Sequence, residues 1–288
     1  DNVYGDDRIT GKLNKLSKAY KKQKTKIPFA KLEETNEVYA IWDDHDYGKN
    51  DGGADYQYKK EAKNLFLDFW NISLNDPRRD REGIYFETKK ITKKGILQII
   101  FLDTRYFRSP LKRTDERGAP GKERYLPDND PNKTLLGKKQ WEWLSNKLDE
   151  NADIRIIASS IQIIAEGHGF EKWGNLPREK KKLYDLIDTK KIKDIIFLSG
   201  DRHAGGIYKE KTTKGTMLYE ITSSSLNLPG AAWVTKYKGK ERPAEPGPNR
   251  IQPLYLWENY GFIEFTKNKI YLSLKDINGN QVNYIEIN

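Results

Sequence analysis

The sequence has no cysteine, and none of its apolar runs approaches the length of about 20 residues that a membrane-spanning helix needs. The lack of cysteine excludes disulfide bonds and thiolate metal ligands within these residues, and it says nothing about the cellular compartment. No secretory signal peptide is recognisable in the sequence either. Because the chain opens on Asp1 rather than on methionine, we expect further residues ahead of Asp1 in the natural protein.

Apolar residues are scarce, at 36 % of the 288 residues, whereas charged residues reach 33 %. Aromatic residues still make up 12 %, more than disordered chains contain, so the composition predicts a globular protein with a very polar surface. The formal net charge of +10 favours anionic substrates and is compatible with nucleic-acid binding. The basic residues are scattered in short clusters, which is typical of solvated surface, so we expect no stable nucleic-acid partner.

The order of apolar patterns along the chain predicts an α/β (α+β) fold. Short apolar runs are typical of buried strands, and amphipathic runs with helical spacing are typical of helices. The predicted strands are 38–42, 83–86, 97–102, 154–159, 195–198, 207–208, 217–221, 262–265 and 270–274, and the predicted helices are 11–22, 58–71, 137–149 and 178–189. Strands first alternate with helices and then follow one another, which predicts a single domain with mixed sheets over residues 1–288.

Acidic side chains directly follow three of the predicted strands. They lie in the segments 42–46, 102–105 and 199–203, whose sequences are WDDHD, LDTR and SGDRH. Ligands of open α/β sheets bind at the carboxyl ends of strands, so we expect these segments to converge on one crevice. Carboxylates with a few imidazoles select hard or borderline cations such as iron, calcium, manganese or magnesium.

Each acidic segment also has an ordinary structural interpretation. A single aspartate at a strand end is commonly a turn former or a helix cap, and this alternative stays open for Asp103 and for Asp201 with His203. Four acidic or imidazole groups within residues 43–46 are harder to explain in that way, since close like charges repel and a cation relieves the repulsion. The segment 43–46 is therefore predicted to lie at a metal site.

The segment WDDHDYGKNDGG at residues 42–53 resembles the hallmark of the alkaline phosphatase D family, which belongs to the calcineurin-like metallophosphoesterase superfamily. Further matches follow in the family's order, at residues 1–4 (DNVY), 101–105 (FLDTR), 199–203 (SGDRH) and 259–261 (NYG). The resemblance covers essentially the whole chain. It implies a four-layer metallophosphoesterase-like sandwich of two mixed β-sheets flanked by helices. It also implies hydrolysis of phosphomonoesters, phosphodiesters or both by a metal-activated hydroxide at alkaline pH.

The same resemblance implies a set of metal ligands. The matching positions are Asp1, which corresponds to a metal-bridging aspartate, Tyr4, which corresponds to a tyrosine that binds ferric iron, and Asp44, Asp201 and His203. Family members hold iron together with calcium, so Fe³⁺ and Ca²⁺ are the expected cofactors. The family also has a first strand that ends in Gly-Ser-Cys, and its cysteine contributes to the metal site. That strand is missing from these residues, so the domain is expected to be N-terminally incomplete.

Three residues are predicted to take part in catalysis. His45 matches a family histidine that faces the substrate, and we expect it to hydrogen-bond the phosphoryl group or to protonate the leaving oxygen. Asp46, in preference to Asp43, is predicted to orient His45. Arg202 is a candidate for binding phosphate, because a guanidinium can bind phosphate through two hydrogen bonds, and a structural ion pair is the alternative.

Substrate binding is assigned to Arg105, Asn50 and His168. Arg105 has the same two interpretations as Arg202, and His168 lies between glycines in a predicted loop, where an ordinary surface histidine is the alternative. The expected substrate is a small phosphate ester such as a nucleotide or a lipid headgroup. The expected location, by family resemblance, is periplasmic or secreted, and the sequence does not determine the oligomeric state.

Two other functions remain as alternatives to the enzyme. In the first alternative, the chain is a catalytically weak or inactive relative that acts as a binding module. In the second, it is a basic nucleic-acid-binding protein. The second alternative predicts salt-sensitive binding to nucleic acid without metal. It does not explain why acidic residues follow the strands.

Overall fold

The computed structural model describes residues 1–7, 13–193, 195–232 and 247–287. The helices are α1 (Asn14–Lys24), α2 (Ile27–Thr35), α3 (Asp44–Tyr47), α4 (Lys59–Phe69), α5 (Pro77–Asp80), α6 (Gly137–Leu148) and α7 (Pro177–Thr189), with a short 3₁₀ helix at Trp173–Asn175. The strands are β1 (Phe86–Thr92), β2 (Gly95–Phe101), β3 (Ile154–Ala158), β4 (Ile195–Ser199), β5 (Gly205–Lys211), β6 (Met217–Ser223), β7 (Asn259–Phe265), β8 (Ile270–Asp276) and β9 (Gln281–Ile287).

Six strands form the larger sheet, in the order β1-β2-β3-β4-β6-β5. The inner strands β2, β3, β4 and β6 are parallel, and β1 and β5 pair antiparallel at the two edges. Parallel neighbours need a crossover connection, and α6 and α7 supply it between β2, β3 and β4. The carboxyl ends of these three strands consequently lie at one edge of the sheet, where the acidic segments 102–105 and 199–203 begin.

The strands β7, β8 and β9 form a second sheet that is antiparallel throughout. The predicted class, α/β with two sheets flanked by helices, is confirmed, but this second sheet is not mixed, because only four residues join each pair of its strands and hairpins are antiparallel. The outward-facing side chains Tyr260, Phe262 and Tyr284 stay exposed. Within the described ranges, no fourth layer of the sandwich covers them.

The two faces of the larger sheet are buried by different partners. Successive residues of a strand point to opposite faces. Phe197 of β4 packs in one core with residues of α6 and α7 that include Leu144 and Leu183. Its neighbour Ile196 packs on the other face in a core that contains Leu272 of the second sheet. Burial on both faces explains why β4 is a continuous apolar run.

A separate aromatic core anchors the segment that carries α3. Side chains of α1 and α4 pack there around Trp42 and Tyr47, whose ring centroids are 5.0 Å apart. The indole N–H of Trp42 donates to Oδ1 of Asp103 at 3.0 Å. This core therefore holds the start of α3 against the end of β2.

The segment 38–42 differs from the sequence prediction. It does not join either sheet within the described ranges, although Trp42 is buried as expected. The side-chain amide of Asn2 donates to the carbonyl oxygen of Ile41 at 2.9 Å, so one acceptor that a strand would offer to a sheet is bound by a side chain. The strand predicted at 83–86 is displaced, because β1 begins only at Phe86 and runs to Thr92. The remaining predicted strands and helices are confirmed, with small shifts at their ends.

No helix within the described ranges is both long enough and apolar enough to cross a membrane. The polar composition agrees with this finding. That residues 1–288 form one domain stays a prediction.

Candidate metal centre

The single-turn helix α3 places adjacent side chains in different roles. Oδ1 of Asp46 accepts the backbone N–H of Asp43 at 2.7 Å, and Oδ2 of Asp46 accepts the side-chain amide of Asn2. Gly48 ends the turn with a φ of 107°, which glycine adopts without the strain that other residues would suffer. Asp46 thus closes the turn, while Asp44 stands among the other acidic groups of the site.

Asp44 belongs to three groups of side chains whose potential ligand atoms lie within 4.8 Å of one another. The groups are Asp1–Asp44–His45, Asp43–Asp44–Asp201 and Asp44–Asp51–Glu171. Carboxylates this close repel one another, and a cation relieves the repulsion. Oxygen donors with an imidazole suit a hard or borderline cation, so this donor set fits the metals that the sequence predicts.

Asp1 is held in place by residues from both ends of the chain. Its Oδ1 accepts the backbone N–H of His45 at 3.1 Å. The side-chain amide of Asn227 donates to the carbonyl oxygens of Asp1 and Asn2, both at 2.8 Å. Asn227 was not singled out by any sequence motif, and it ties the N-terminal segment to the loop after β6.

Asp201 and His203 lie on the turn after β4 with positive φ angles of 67° and 54°. Residues with a Cβ atom rarely adopt this conformation, and it persists where the surroundings or a ligand hold it. The Nδ1–H of His203 donates to the carbonyl oxygen of Leu228 at 2.5 Å, and its Nε2 lies 3.4 Å from the hydroxyl of Tyr4. A histidine oriented through Nδ1 presents Nε2 as a metal ligand.

Crowded negative charge alters the acidity of two predicted ligands. Burial, with the charges of Asp43 and Asp44, raises the pKa of Asp201 well above its usual value. Burial and the charge of Asp44 likewise raise the pKa of Tyr4. Both shifts oppose the anionic form that a metal ligand needs, so a bound cation is what would make these groups anionic.

His45 is oriented by Asp6 rather than by Asp46. The Nδ1–H of His45 donates to Oδ2 of Asp6. Burial lowers the pKa of His45, but the hydrogen bond to Asp6 and the charge of Asp44 outweigh burial and raise it. The prediction favoured Asp46, whose carboxylate is instead engaged in closing α3. Asp6 escaped notice because it lies 39 residues from His45 and in none of the quoted motifs.

Arg105 lies beneath the site in a buried ion-pair network. Its side chain is fully buried and pairs with Asp43 and, at 2.5 Å, with Oε2 of Glu171. Glu171 also pairs with Arg108 at 2.9 Å, and burial outweighs both arginines and raises its pKa to about 7. These contacts favour the structural ion pair that the sequence left as the alternative, because a guanidinium enclosed by two carboxylates does not face the cavity, and the role in substrate binding stays a prediction.

Asp103, at the end of β2, is also a structural residue. It is fully buried, and its Oδ1 accepts the backbone N–H groups of Arg105 at 3.0 Å and Tyr106 at 2.9 Å. Its Oδ2 accepts the N–H of Ile84 at 2.9 Å. Of the two interpretations that the sequence left open for Asp103, the turn-forming one matches these contacts.

Two arginines flank the aromatic ring of Phe170 beside the acidic cluster. The guanidinium carbon of Arg202 lies 4.1 Å from the ring centroid, and that of Arg124 lies 5.9 Å from it. Arg124 also donates to Oδ2 of Asp51 at 2.7 Å. The sequence pointed to Arg202 but not to Arg124, which lies in a long loop without a recognisable motif.

The two remaining substrate-binding candidates lie in different places. Asn50 lies at the centre, where its side-chain amide donates to Oδ2 of Asp44 at 3.3 Å. His168 is buried instead of lying on the surface. Its Nε2 lies 3.0 Å from Oε1 of Gln162, and its Nδ1 accepts the N–H of Phe170 at 3.2 Å. These contacts engage both ring nitrogens, so the substrate-binding role of His168 stays a prediction that the contacts do not favour.

A cavity of about 420 Å³ borders the acidic cluster. Asp1, Asp201 and His203 line it together with apolar side chains that include Tyr39 and Leu226. Small-molecule sites are commonly of this size and combine apolar walls with a few polar groups. The cavity therefore offers room for an ester beside the candidate ligands.

Comparisons with known proteins agree on one family. A family described as PhoD-like phosphatase matches residues 2–269 of this chain. Alkaline phosphatase D from Bacillus subtilis (strain 168) is 30 % identical over 143 residues, which cover 45 % of this chain and 24 % of that protein. A solved structure entitled "Structure of PhoD" matches with a TM-score of 0.65 and 16 % sequence identity, covering 99 % of this chain and 60 % of that one. The chain thus spans less than two thirds of the length of either relative.

Proposed function

The chain belongs to the PhoD-like phosphatase family, and from that membership we propose that it hydrolyses phosphate esters with the help of bound metal ions. The observation that carries the proposal is the position of Asp44, which three groups of potential ligands share. A purely structural role would leave uncompensated the part of their mutual repulsion that the neighbouring arginines do not offset. Metal-assisted ester hydrolysis uses such a cluster directly.

We propose that Asp1, Tyr4, Asp44, Asp201 and His203 hold the metals, with Fe³⁺ and Ca²⁺ as the expected ions. When bound, the metals would supply a water of lowered pKa and positive charge for the phosphoryl oxygens. The phenol of Tyr4 and the imidazole of His203 favour a transition metal, whereas a set of carboxylates suits calcium. Metal analysis of the purified protein tests this assignment, which fails if neither iron nor calcium is bound.

The remaining side chains of the centre would bind and orient the ester. His45, fixed through Nδ1 by Asp6, can donate from Nε2 to a phosphoryl oxygen or to the leaving oxygen. Arg202, stacked on Phe170 next to Asp201, can hold the phosphate through its N–H groups. The apolar wall of the cavity would take the organic part of the ester.

The activity is tested with p-nitrophenyl phosphate and bis-p-nitrophenyl phosphate from pH 7 to 10. We expect turnover in the presence of calcium and iron, faster at alkaline pH, and none after treatment with a chelator. The ratio of the two rates ranks monoester against diester hydrolysis. The same assay is run on a version of the protein with residues added ahead of Asp1. Absence of turnover from both would favour the binding-module alternative.

Changing Asp6 to asparagine is expected to lower kcat by about 10- to 100-fold, the usual effect of losing a residue that orients a catalytic or ligand histidine. Metal content should not change. The fall should be larger with phenyl phosphate than with p-nitrophenyl phosphate, because a poorer leaving group depends more on proton donation by His45.

The matched control is Asp55→Asn, which alters a half-exposed carboxylate that pairs with Lys49 at 2.5 Å. It should leave kcat and metal content unchanged. Equal losses with both substrates, accompanied by loss of metal, would assign Asp6 to metal binding and contradict its role as the partner of His45.

By the same family resemblance we propose that the protein acts outside the cytoplasm on nucleotides or lipid headgroups. Both substrate types present a phosphate ester with an organic group that the cavity can accept. Fractionation of the source cells tests the location, and recovery in the cytoplasmic fraction alone would contradict it.

A further inference from the structure

A second cavity, of about 510 Å³, lies between the end of α4, the helix α5 and the edge strand β1. We call it the Arg81 cavity. None of the proposed metal ligands lines it. Its walls carry aromatic side chains, three cations and the carboxylates of Asp76 and Glu87, and the lining residues that matter here are Trp70, Phe86, Trp143, Arg78, Arg81 and Lys147.

Two of the three cations that line the Arg81 cavity are neutralised within the chain. Arg78 binds both carboxylate oxygens of Asp76, at 2.9 Å through Nε and 2.8 Å through Nη2. Lys147 pairs with Glu87 at 2.5 Å and with Glu150 at 2.7 Å. These contacts neutralise the positive charges of Arg78 and Lys147 with carboxylates of the same chain.

Arg81 differs from these two cations. Among the described residues its guanidinium forms no hydrogen bond or ion pair, and its Nε is buried. The guanidinium carbon lies 3.9 Å from the ring centroid of Tyr85 and 5.8 Å from that of Trp143. A guanidinium stacked on a ring keeps its N–H groups directed outward in its own plane, where they can bind an oxyanion through two hydrogen bonds.

The electrostatics around Arg81 also favour an anion. Burial lowers the pKa of Arg81 and the charge of Arg78 lowers it further, whereas Tyr85, Asp76 and Asp103 oppose the shift. A partly buried cation beside a like charge is stabilised by a negative partner. Asp76 is bound to Arg78, Asp103 accepts N–H groups of other residues, and no carboxylate of the described residues forms an ion pair with Arg81.

Trp70 supplies a second donor without an acceptor. Its indole N–H is buried and has no hydrogen-bond partner among the described residues. Buried polar groups are nearly always satisfied in native proteins, so an unpaired N–H lining a cavity points to an acceptor that comes from outside the chain. The rings of Trp70, Phe86 and Trp143 provide flat apolar surface in the same cavity.

We propose that the Arg81 cavity binds a small organic anion that carries an aromatic ring. Arg81 holds the acidic group, Trp70 donates a further hydrogen bond, and the rings of Phe86 and Trp143 contact the aromatic body. The volume of about 510 Å³ lies within the range usual for small-molecule sites, roughly 300–1,000 Å³. None of the proposed metal ligands lines the site, although Tyr39 borders both cavities, and the proposal does not depend on the proposed hydrolysis.

The test is isothermal titration calorimetry of the whole protein with 1-naphthalenesulfonate, which is not a phosphate ester and is not a substrate. Sulfate supplies the charge without the ring, and 1-naphthalenemethanol supplies the ring without the charge. We expect both to bind about tenfold more weakly or worse, sulfate because it lacks the apolar ring that contacts the aromatic wall and the alcohol because it cannot form a charge-assisted hydrogen bond. Arg81→Gln should weaken the binding of 1-naphthalenesulfonate by about 10- to 100-fold for the same reason.

The matched control is Arg113→Gln, because Arg113 also lies over a tyrosine ring, 5.2 Å from the centroid of Tyr125, but not in the cavity. It should not change the affinity. Trp70→Phe keeps a ring and removes the N–H, and it should weaken binding by about tenfold. The midpoint temperature of thermal unfolding of Arg81→Gln should match that of the unsubstituted protein. The reason is that no hydrogen bond of the described residues depends on that guanidinium.

Three results would overturn the proposal. Equal binding of sulfate would mean that charge alone attracts the ligand, and equal binding of the neutral alcohol would mean that the cavity takes any apolar ring. Unchanged affinity in Arg81→Gln and Trp70→Phe would place the bound sulfonate elsewhere on the protein.

Discussion

Replacing Asp44 with alanine is expected to abolish phosphoester hydrolysis and to lower the metal content of the purified protein. Asp44 is the side chain common to all three groups of potential ligands. Positive charge from bound metals contributes several kcal/mol to the stabilisation of a phosphoryl-transfer transition state, so its loss corresponds to about a thousandfold or more in kcat/KM. His203→Ala should give the same two losses, because its Nε2 is the imidazole nitrogen that the turn after β4 presents to the cluster.

The measurement combines steady-state hydrolysis of p-nitrophenyl phosphate with metal analysis of the same samples. Asp115→Ala is a suitable control, because Asp115 is an exposed carboxylate paired with Lys122 at 3.1 Å. It should retain both the activity and the metal. Full activity in Asp44→Ala or in His203→Ala would refute the proposed centre.

Replacing Arg105 with methionine is expected to lower the free energy of unfolding by about 3–5 kcal/mol, the usual cost of removing one partner from a buried ion pair. The change leaves two buried carboxylates, those of Asp43 and Glu171, without the cation that they share. Urea denaturation measures the effect as a lower midpoint with an unchanged slope. The control Arg117→Met removes an exposed arginine and should shift the midpoint very little.

The same variant separates the two interpretations that the sequence left open for Arg105. A structural role predicts loss of stability, together with partial recovery when Asp43→Asn and Glu171→Gln are added. A substrate-binding role predicts normal stability and a raised KM. A loss below about 1 kcal/mol would contradict the buried network, because that is the range of exposed ion pairs.

The arrangement of this network suggests why the acidic centre can form. Asp43 lies next to Asp44 in sequence and is neutralised from below by Arg105. Glu171 is one of the potential ligand groups and is held by Arg105 and Arg108. The arginines thus offset part of the like-charge repulsion in the floor of the site, and a cation is needed for the carboxylates above it.

The sequence by itself determined the α/β class, most of the strands and helices, and the segments that carry the acidic residues. These features depend on local periodicity and on the position of aspartates directly after apolar runs, both of which are visible without the fold. The rule that ligands bind at the carboxyl ends of strands predicted that residues 43–46 and 201–203 would meet. The structure does bring Asp43, Asp44 and Asp201 together, although the segment before residue 43 is not a strand of the sheet.

Only the tertiary structure decided which neighbours these residues have. Asp6 instead of Asp46 orients His45, Arg105 lies in the floor of the site, and His168 is buried against Gln162. The segment 38–42 has the apolar pattern of a strand but does not join a sheet within the described ranges. The physical reason is common to all four cases. A pattern of side chains predicts burial and local conformation. The partner of a charge or of a backbone group is set by parts of the chain that are distant in sequence and meet only after folding.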